Sequence, residues 1–311
     1  MITTVTLNAS VDKACLVDAI RLGQPHRMKE CHFTAGGKGL NVARVARRLG
    51  QAVAATGFVG GFAGMMVESL LHADGIGCNF VPVAGESRTC VNIIDESTGL
   101  ATEFREPGVQ VLPEDHDRLL SIYCDLLPGS QMVCLSGGAP QGVRADFYND
   151  MIRLARAAGK PVILDTSGPF LANGIVAGPT LIKPNDDEMA ALLGTPITGV
   201  DEALSGARQL CRQGAGVVVV SLGAQGALWV DPEQAYWGVP PRLPALNTVG
   251  CGDSMVAGLA VGLCRGDSVP DTLRLGVAVS AANTLTVANG SFEDADLAAI
   301  LPQVAITRLD G

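Results

Sequence analysis

NTVGCGDS, residues 247–254, leads directly into a predicted helix of small and apolar residues, Met255–Leu263. Two glycines that flank a small residue let backbone N–H groups point into one concavity, and the helix behind them adds its positive N-terminal end. Such a turn can hold the charge that develops on a phosphoryl group during transfer. Asp253 then lies where it can accept a proton from a hydroxyl group. Taken alone, the pattern favours Asp253 as a helix cap, because short glycine motifs also match by chance.

Upstream of this turn, short apolar runs alternate with helical patterns. The predicted strands are Ile2–Leu7, Ala52–Val59, Met132–Leu135, Val162–Leu164, Thr180–Ile182 and Val217–Ser221. The predicted helices are Leu40–Leu49, Gly64–Ala73, Pro113–Leu127, Ala145–Ala158, Glu188–Leu193 and Val200–Gln213. This alternation predicts an α/β fold in which a mostly parallel central sheet is flanked by helices on both faces. From Gly252 onward the sequence is nearly all helix-compatible, which predicts a helical tail.

Two stretches, 13–33 and 89–104, break the alternation because their strand-like patches are not separated by a long helix. They predict a small antiparallel sheet that leaves the main body, either as a lid or as a dimer contact. Two ordinary surface hairpins are the alternative. Since no linker demands a boundary, residues 1–311 are predicted to form a single domain.

Composition excludes several classes of protein. A formal net charge of −9 without a basic stripe argues against a nucleic-acid partner, although local cations can still hold an anionic substrate. The longest apolar runs, such as Ala215–Leu222, are strand-sized, so no membrane partner is predicted, and the N-terminus is predicted to be a strand rather than a leader. Nine cysteines without a C-x-x-C pair favour a reduced, cytoplasmic protein, and the four histidines lack zinc-ligand spacing.

A second glycine-rich loop, Ala35–Asn41, leads into the helix Leu40–Leu49. Its spacing is not that of a Walker A loop. The glycines let a ligand approach the backbone, Lys38 supplies a positive charge, and Asn41 can bind hydroxyl groups. A flexible turn with a solvated lysine is the alternative.

Two further loops follow predicted strands, at the edge where α/β proteins bind ligands. In the first, Lys183–Glu188, the three-residue spacing of Asn185 and Glu188 puts both on one helix face, where they can order Mg²⁺ beside phosphates. The alternative is a helix N-terminus enriched in acids for its dipole. The second loop, Ser221–Gly226, turns into the strand Ala227–Val230 and is either a plain hairpin or a wall of a nucleotide site.

Three charged residues stand apart from these loops. Arg88 and Arg105 lie in or beside the predicted small sheet, and Asp12 follows the first strand. A single exposed arginine is usually solvated. Two arginines together would be explained by a substrate phosphate, because guanidinium groups bind phosphate bidentately.

Four ligand-type loops in this order resemble the PfkB/ribokinase family of carbohydrate kinases, over essentially the whole chain. The resemblance is carried by GGKGLN at residues 36–41 and by Asn247–Asp253 with Ala257 and Gly258. It implies a ribokinase-like fold and transfer of phosphate from ATP. Cys251 departs from the family pattern, which usually has Ala or Ser there. Because the thiol is also small, we expect the anion hole to survive and the thiol to bring sensitivity to oxidation.

The resemblance also implies a role for each matching position. It makes Asp253 the catalytic base and gives the anion hole to the N–H groups of Gly250, Cys251 and Gly252. Sugar binding is implied for Asp12, Gly37, Lys38, Asn41, Arg88, Arg105 and Ser136. ATP binding is implied for Lys183, Asn185, Ser221, Gly223, Gly226 and Asn283. Mg²⁺ is implied at Glu188, through water, and K⁺, as in some members, near Asn247 and Val249.

Within the family, TLNASVDK at residues 6–13 resembles the opening of the 1-phosphofructokinase and tagatose-6-phosphate kinase group, with Ala9 replacing the usual proline. Lys38, Arg88 and Arg105 are the cations that a substrate phosphate would require. The expected reaction is therefore ATP-dependent phosphorylation of fructose-1-phosphate, tagatose-6-phosphate or fructose-6-phosphate to the bisphosphate. A kinase of an unphosphorylated sugar or nucleoside and a non-catalytic ligand-binding regulator remain alternatives. By family analogy, we expect a homodimer through the lid.

Overall fold

The computed structural model describes residues 1–309 as two β-sheets and ten α-helices. The strands are β1 (Ile2–Thr6), β2 (Ser10–Val17), β3 (Glu30–Gly36), β4 (Val53–Val59), β5 (Gly77–Pro82), β6 (Arg88–Asp95), β7 (Leu100–Arg105), β8 (Met132–Ser136), β9 (Val162–Asp165), β10 (Leu181–Ile182), β11 (Val217–Ser221), β12 (Ala227–Val230), β13 (Ala235–Val239) and β14 (Ala305–Leu309). The helices are α1 (Lys38–Arg48), α2 (Gly61–Ala73), α3 (Pro113–Leu126), α4 (Phe147–Ala157), α5 (Gly168–Val176), α6 (Asp186–Leu193), α7 (Val200–Gln213), α8 (Cys251–Arg265), α9 (Val269–Asn283) and α10 (Asp294–Ile300). Every predicted strand and helix overlaps an observed one.

The large sheet has ten strands in the order β14-β13-β12-β11-β10-β9-β8-β1-β4-β5. All neighbours from β11 to β5 are parallel, whereas β12, β13 and β14 join the edge antiparallel. The first strand is central: Ile2 is the register partner of both Val53 in β4 and Met132 in β8. The predicted mostly parallel sheet is confirmed, and its parallel part brings the carboxyl ends of β9, β10 and β11 to one edge.

Hydrophobic cores cover both faces of the large sheet, which explains why its parallel strands are apolar runs rather than alternating patterns. In β11, Val218 and Val220 face one core and Val219 faces the other. Helices α1, α2, α8, α9 and α10 pack on one face, and α3 to α7 pack on the other. No helix within residues 1–309 is long and apolar enough to cross a membrane.

The second sheet has four strands in the order β3-β2-β6-β7 and confirms the predicted small sheet. It is one sheet and not two separate hairpins, because β2 pairs with β6. That pair is parallel, so the expectation of a wholly antiparallel sheet is wrong in this respect. The strands also begin at Ser10 and Arg88 and end at Gly36 and Arg105, beyond the predicted limits. Consequently β3 runs directly into the glycine-rich loop before α1.

The prediction of an all-helical tail is wrong. After three helices the chain returns to the large sheet as β14, whose register joins Ala305 to Val239 and Leu309 to Ala235. This five-residue edge strand is mostly exposed and pairs on one side only, so its sequence carries no continuous apolar run. The strands β5 and β13 and the helix α5 are also absent from the predicted elements.

Candidate active site

A cavity of about 370 Å³ lies between the carboxyl ends of the large sheet's strands and the small sheet. It brings together side chains and backbone from all four predicted loops and from the small sheet. The predicted residues that line it are Asp12, Gly37, Lys38, Asn41, Arg88, Arg105, Lys183, Asn185, Glu188, Ser221, Val249, Gly250, Gly252 and Asp253. Residues separated by more than two hundred positions thus share one site, as the order of the loops predicted.

The turn before α8 depends on the glycine at Gly250. Its φ is +82°, in the left-handed region, and a Cβ there would lie 2.6 Å from the backbone nitrogen of Gly290. No side chain caps α8, and Gly250, Gly252 and Asp253, at its N-terminal end, line the cavity. The Cys251 N–H donates to the Thr248 carbonyl at 3.4 Å.

Asp253 lies in the first turn of α8 and does not cap it, which excludes the simpler interpretation of this residue. Its carboxylate Oδ2 instead accepts a hydrogen bond of 2.7 Å from Nδ2 of Asn41. Asp253 is only 6% exposed. Burial, and then the nearby Asp165 carboxylate, raise the pKa of Asp253, while Lys38, the Asn41 hydrogen bond and Lys183 lower it. A buried carboxylate with a raised pKa is a suitable proton acceptor near neutral pH.

Asp165, at the end of β9, is the main site residue that sequence reasoning missed. It is fully buried, and its Oδ1 lies 3.5 Å from Nζ of Lys38 and 3.4 Å from Nζ of Lys183. Neither carboxylate oxygen has a hydrogen-bond partner among residues 1–309. Asp165 is also the largest cause of the raised pKa of Lys38, so that lysine keeps its charge. The sequence does carry one signal for Asp165, because this acidic residue directly follows the predicted buried strand Val162–Leu164.

Asn185 and Glu188 form a reciprocal capping box at the start of α6. The Glu188 N–H donates to Asn185 Oδ1 at 2.7 Å, and the Asn185 N–H donates to Glu188 Oε2 at 3.0 Å. The free oxygen of Glu188 lies 3.9 Å from Nζ of Lys38, and both residues line the cavity. Asn185 also bridges to Ser221, which joins the third and fourth predicted loops. The pair therefore begins the helix and faces the site.

Two of the residues predicted to bind sugar, Asp12 and Arg88, belong to the small sheet, and hydrogen bonds to neighbouring groups fix their side chains. Asp12 accepts a hydrogen bond of 2.7 Å from the Ser10 hydroxyl, and its pKa is raised, chiefly by burial. A Cβ at Gly36 would lie 2.0 Å from Asp12 Oδ1, so only glycine allows this approach. Arg88 donates to the Asn8 carbonyl at 3.1 and 3.3 Å.

Arg105, at the end of β7, pairs with Glu103 at 2.6 Å. Glu103 was not among the predicted site residues, yet it lines the same cavity. Its strand shows no pattern that marks it in the sequence, because exposed strand carboxylates are common.

Several predicted residues do not line the cavity: Ser136, Gly223, Gly226, Asn247, Cys251 and Asn283. Ser136 is fully buried at the end of β8. The two glycines flank a short turn between β11 and β12, which confirms the predicted hairpin. The ligand contacts predicted for these residues stay predictions.

Asn283 stabilises the turn before α8 through hydrogen bonds and does not line the cavity. It is fully buried, and its Nδ2 donates to the Val249 carbonyl at 3.1 Å and to Sγ of Cys251 at 3.3 Å. Its Oδ1 accepts from the Ser254 hydroxyl at 2.9 Å. Its polar atoms thus bond protein groups and fix the carbonyl and thiol of the turn.

Cys251 carries the thiol that is expected to be sensitive to oxidation. The pKa of its thiol is raised to about 11, chiefly by burial and also by Asp253, although the hydrogen bond from Asn283 lowers it. Because the thiolate is the form that reacts with oxidants, a protonated thiol is protected at neutral pH. A raised thiol pKa argues against this sensitivity, which stays a prediction.

Comparison with known proteins identifies the family. The model of the pfkB family carbohydrate kinases matches residues 5–294. The chain belongs to this family. The predicted family, the ribokinase-like fold and the enzyme class, a phosphotransferase with an alcohol group as acceptor, are thereby confirmed.

Relatives of the kinase lie in the expected branch. It is 37% identical to the 1-phosphofructokinase of Rhodobacter capsulatus over 282 residues, or 90% of this chain and 89% of that protein. It is 33% identical to the tagatose-6-phosphate kinase of Staphylococcus epidermidis over 309 residues, or 98% of this chain and 99% of that protein. The crystal structure of phosphofructokinase-2 from Escherichia coli in complex with potassium matches with a TM-score of 0.90 at 31% identity, covering 97% of this chain and 98% of that one.

Proposed function

We propose that this kinase transfers the γ-phosphoryl group of ATP to a hydroxyl group of a ketohexose phosphate, giving the bisphosphate and ADP. One observation carries the proposal: one cavity is lined both by a buried carboxylate at an uncapped helix N-terminus and by a pair of arginines. The first can accept a proton beside a phosphoryl group, and the second can hold a phosphate that is already present. Fructose-1-phosphate, tagatose-6-phosphate and fructose-6-phosphate are the candidate acceptors, and relatives named for the first two chemistries support them.

In the proposed reaction, Asp253 accepts the hydroxyl proton as the sugar oxygen forms its bond to the γ-phosphorus. The bond between that phosphorus and the β–γ bridging oxygen breaks, and ADP takes the electron pair. The N–H groups at the start of α8 stabilise the charge on the transferring group. Lys38 and Lys183, both paired with Asp165 at about 3.5 Å, supply fixed positive charge beside the same end of the cavity. Positioning and electrostatic stabilisation thus carry most of the rate.

The carboxylates present fit a Mg²⁺ ion that arrives with ATP. Asp165 offers two buried oxygens without hydrogen-bond partners in the described chain, and Glu188 has one oxygen directed to the cavity. No group of three His, Cys, Asp or Glu side chains within residues 1–309 is arranged to hold a metal ion. Two carboxylates completed by water and phosphate oxygens are the usual protein share of a Mg²⁺ site. When bound, the ion would neutralise charge on the phosphates.

Arg88 and Arg105 are proposed to bind the phosphate that the acceptor already carries. Both line the cavity from strands of the small sheet, Arg88 at the start of β6 and Arg105 at the end of β7. Arg105 is paired with Glu103, so its guanidinium is held at the cavity before a substrate arrives. A neutral sugar or nucleoside would offer these two cations no phosphate to bind.

The proposed role of Asp253 is tested by Asp253→Asn in an assay of ADP release. Fructose-1-phosphate, tagatose-6-phosphate, fructose-6-phosphate, fructose, ribose and adenosine serve as acceptors. We expect activity with one or more of the three phosphorylated sugars, ATP binding close to that of the wild type, and turnover lowered by several orders of magnitude. Near-normal turnover of the variant would refute the proposed role of Asp253 as the base. Preference for fructose, ribose or adenosine would refute a phosphorylated acceptor.

A K⁺ ion is proposed near Asn247 and Val249. The support is the potassium complex of the Escherichia coli relative and the arrangement of this turn. Asn247 uses its side chain to tie the turn to the segment that follows α9, donating to Val287 and Asn289, so backbone carbonyls would have to be the ligands. Turnover in KCl should exceed turnover in tetramethylammonium chloride at equal ionic strength, and equal rates would contradict the proposal.

We propose that the small sheet acts as a lid and that its outer face joins two copies of the chain. Its register places Phe33, Lys13, Val91 and Phe104 in one row, while the adjacent row carries Asp12 toward the cavity. Phe33 and Phe104 are 43% and 59% exposed, which is unusual for aromatic side chains. A monomeric mass in solution would contradict the dimer.

The proposed domain organisation is a single kinase domain, residues 1–311, acting in the cytoplasm. Two cores share one sheet, and the small sheet continues into α1 without a linker. Nine free thiols suit a reducing compartment. Limited proteolysis that released a stable fragment would contradict a single domain.

A further inference from the structure

Arg44, in the middle of α1, is a partly buried cation outside the set of predicted site residues. Burial is the largest effect on its guanidinium and lowers its pKa. No carboxylate forms a direct ion pair with it among residues 1–309, and the carboxylates of Asp74, Asp12 and Asp253, which favour the charged guanidinium, act from further away. A partly buried charge without a direct ion pair depends on hydrogen bonds to offset its lost hydration.

The guanidinium donates three hydrogen bonds to three separate segments. Nη1 donates to the Ala35 carbonyl at 2.8 Å, at the end of β3. Nη2 donates to Oδ1 of Asn41 at 2.8 Å and to the Asn289 carbonyl at 2.6 Å. Arg44 therefore ties the glycine-rich loop, the start of α1 and the segment after α9 to one point.

The Asn41 amide has only one orientation that satisfies its two neighbours. A guanidinium can only donate, so it must face the amide oxygen, and an ionised carboxylate can only accept, so it must face the amide nitrogen. Asn41 is buried, and its Nδ2 donates to Asp253 Oδ2 at 2.7 Å. Arg44 thereby selects the orientation in which Asn41 donates to Asp253.

We propose that Arg44 is a positioning residue for the reaction, which fixes the Asn41 amide so that it donates to the Asp253 carboxylate. The inference rests on the proposed role of Asp253 as base. Arg44 does not touch the reacting atoms and acts through Asn41. A residue with this role belongs to the catalytic arrangement although it lines none of the substrate cavity.

The charges around Asp253 show what the loss of this hydrogen bond would do. Asp165 and burial raise the pKa of Asp253, while Lys38, Asn41 and Lys183 lower it. Without Arg44, the Asn41 amide can turn its oxygen toward the carboxylate. One of the effects that favour the ionised base would then become repulsive, and the pKa of Asp253 would rise further.

The same guanidinium also supports the turn before α8. The Asn289 side chain accepts a hydrogen bond of 3.0 Å from Asn247, and Gly290 packs directly against Gly250. If Asn289 lost its hydrogen bond to Arg44, the turn that carries the predicted anion hole would therefore be affected as well as the position of Asp253. This second effect does not pass through Asn41, so it can be separated from the first by a double-mutant cycle.

The test compares Arg44→Met, Asn41→Ala and the double variant by steady-state kinetics across pH. We expect each single variant to lower kcat about 10- to 100-fold, the range of one charge-assisted hydrogen bond, with little change in the KM for ATP. The double variant should lose clearly less activity than the product of the two single losses, because the part of the Arg44 effect that passes through Asn41 is already lost in Asn41→Ala. The acidic limb of kcat/KM should move to higher pH in Arg44→Met.

Two further variants separate positioning from a structural role. Arg47→Met removes an exposed arginine of the same helix, and it should change neither kcat nor the pH profile. Arg44→Lys keeps the charge but not the planar fork, so it should remain impaired. If Arg44→Met does not fold, the same cycle with Arg44→Lys and Asn41→Ala decides the question.

Additive losses in the cycle, or a lowered melting temperature with an unmoved pH profile, would overturn the inference. Its failure is distinct from failure of the proposed function. Near-normal turnover of Asp253→Asn would refute the base itself, whereas additivity in a chain whose Asp253→Asn variant is inactive would refute only Arg44.

Discussion

The buried carboxyl group of Asp253 should destabilise the fold when it is ionised, and Asp253→Asn should remove that cost. Its pKa is raised, first by burial, from its ordinary value of 3.8 to about 7. At about 1.4 kcal/mol per pKa unit, this difference corresponds to roughly 4 kcal/mol when the group is fully ionised. The variant is expected to be more stable than the wild type at alkaline pH while being inactive.

The sign of the pH dependence follows from the direction of the shift. A raised pKa means that the folded state holds the proton more tightly than the unfolded chain. The favourable contribution of the carboxyl group is therefore complete below 3.8 and is lost as pH rises to about 7. The stability gap between Asp253→Asn and the wild type should widen over that window and level off above it.

Urea unfolding followed by tryptophan fluorescence measures this gap, since Trp229 and Trp237 lie in the large sheet. Measurements at about pH 5.5 and about pH 8.5 should differ by roughly 2 kcal/mol, half of the full effect. Asp125→Asn is the matched control, because Asp125 is exposed near the end of α3 and its removal should give no widening gap. A gap that stays constant or narrows as pH rises would refute the reasoning.

Two other predictions concern the two ends of the cavity. Arg105→Met should raise the KM for the sugar phosphate about 10- to 100-fold with little change in the KM for ATP. The control Arg153→Met, on the exposed side of α4, should change neither KM. An unchanged KM for the sugar phosphate in Arg105→Met would contradict phosphate binding by Arg105. Cys251 should react slowly with iodoacetamide at neutral pH and Cys251→Ala should keep most of the activity, because the pKa of its thiol is raised; rapid labelling with loss of activity would contradict this.

Much of the fold could be predicted because its strands are apolar on both faces and its helices have regular patterns. Runs such as Val217–Ser221 are buried whichever way they face, so tertiary context had little to change. β14 was not predicted because it is a short edge strand that pairs only with β13 and has no continuous apolar run. The parallel pairing of β2 with β6 could not be predicted either, because the sequence of a strand does not say which strand lies beside it in the folded chain.

The candidate site could be predicted where its residues sit in a local glycine-rich or acidic loop. Lys38, Asn185 and Asp253 are of this kind, and the structure places all three at one cavity. Asp165 carries no such loop signal, and its importance arises from burial between two lysines that are distant in sequence. Arg44 lies in an ordinary helical pattern, so only its three hydrogen bonds distinguish it from its neighbours.

The cavity is assembled from two separate parts of the chain. The small-sheet residues proposed to bind the acceptor, Asp12, Arg88 and Arg105, lie in the first half of the sequence, and the loops proposed to bind ATP, from Lys183 to Ser221, lie in the last half. Substitutions in the small sheet can therefore change the acceptor while Lys38, Asn41 and the turn before α8 are inherited unchanged. Such a division gives an evolving lineage a simple route from one sugar phosphate to another. Relatives bearing two different substrate names at similar identity are the outcome expected of it.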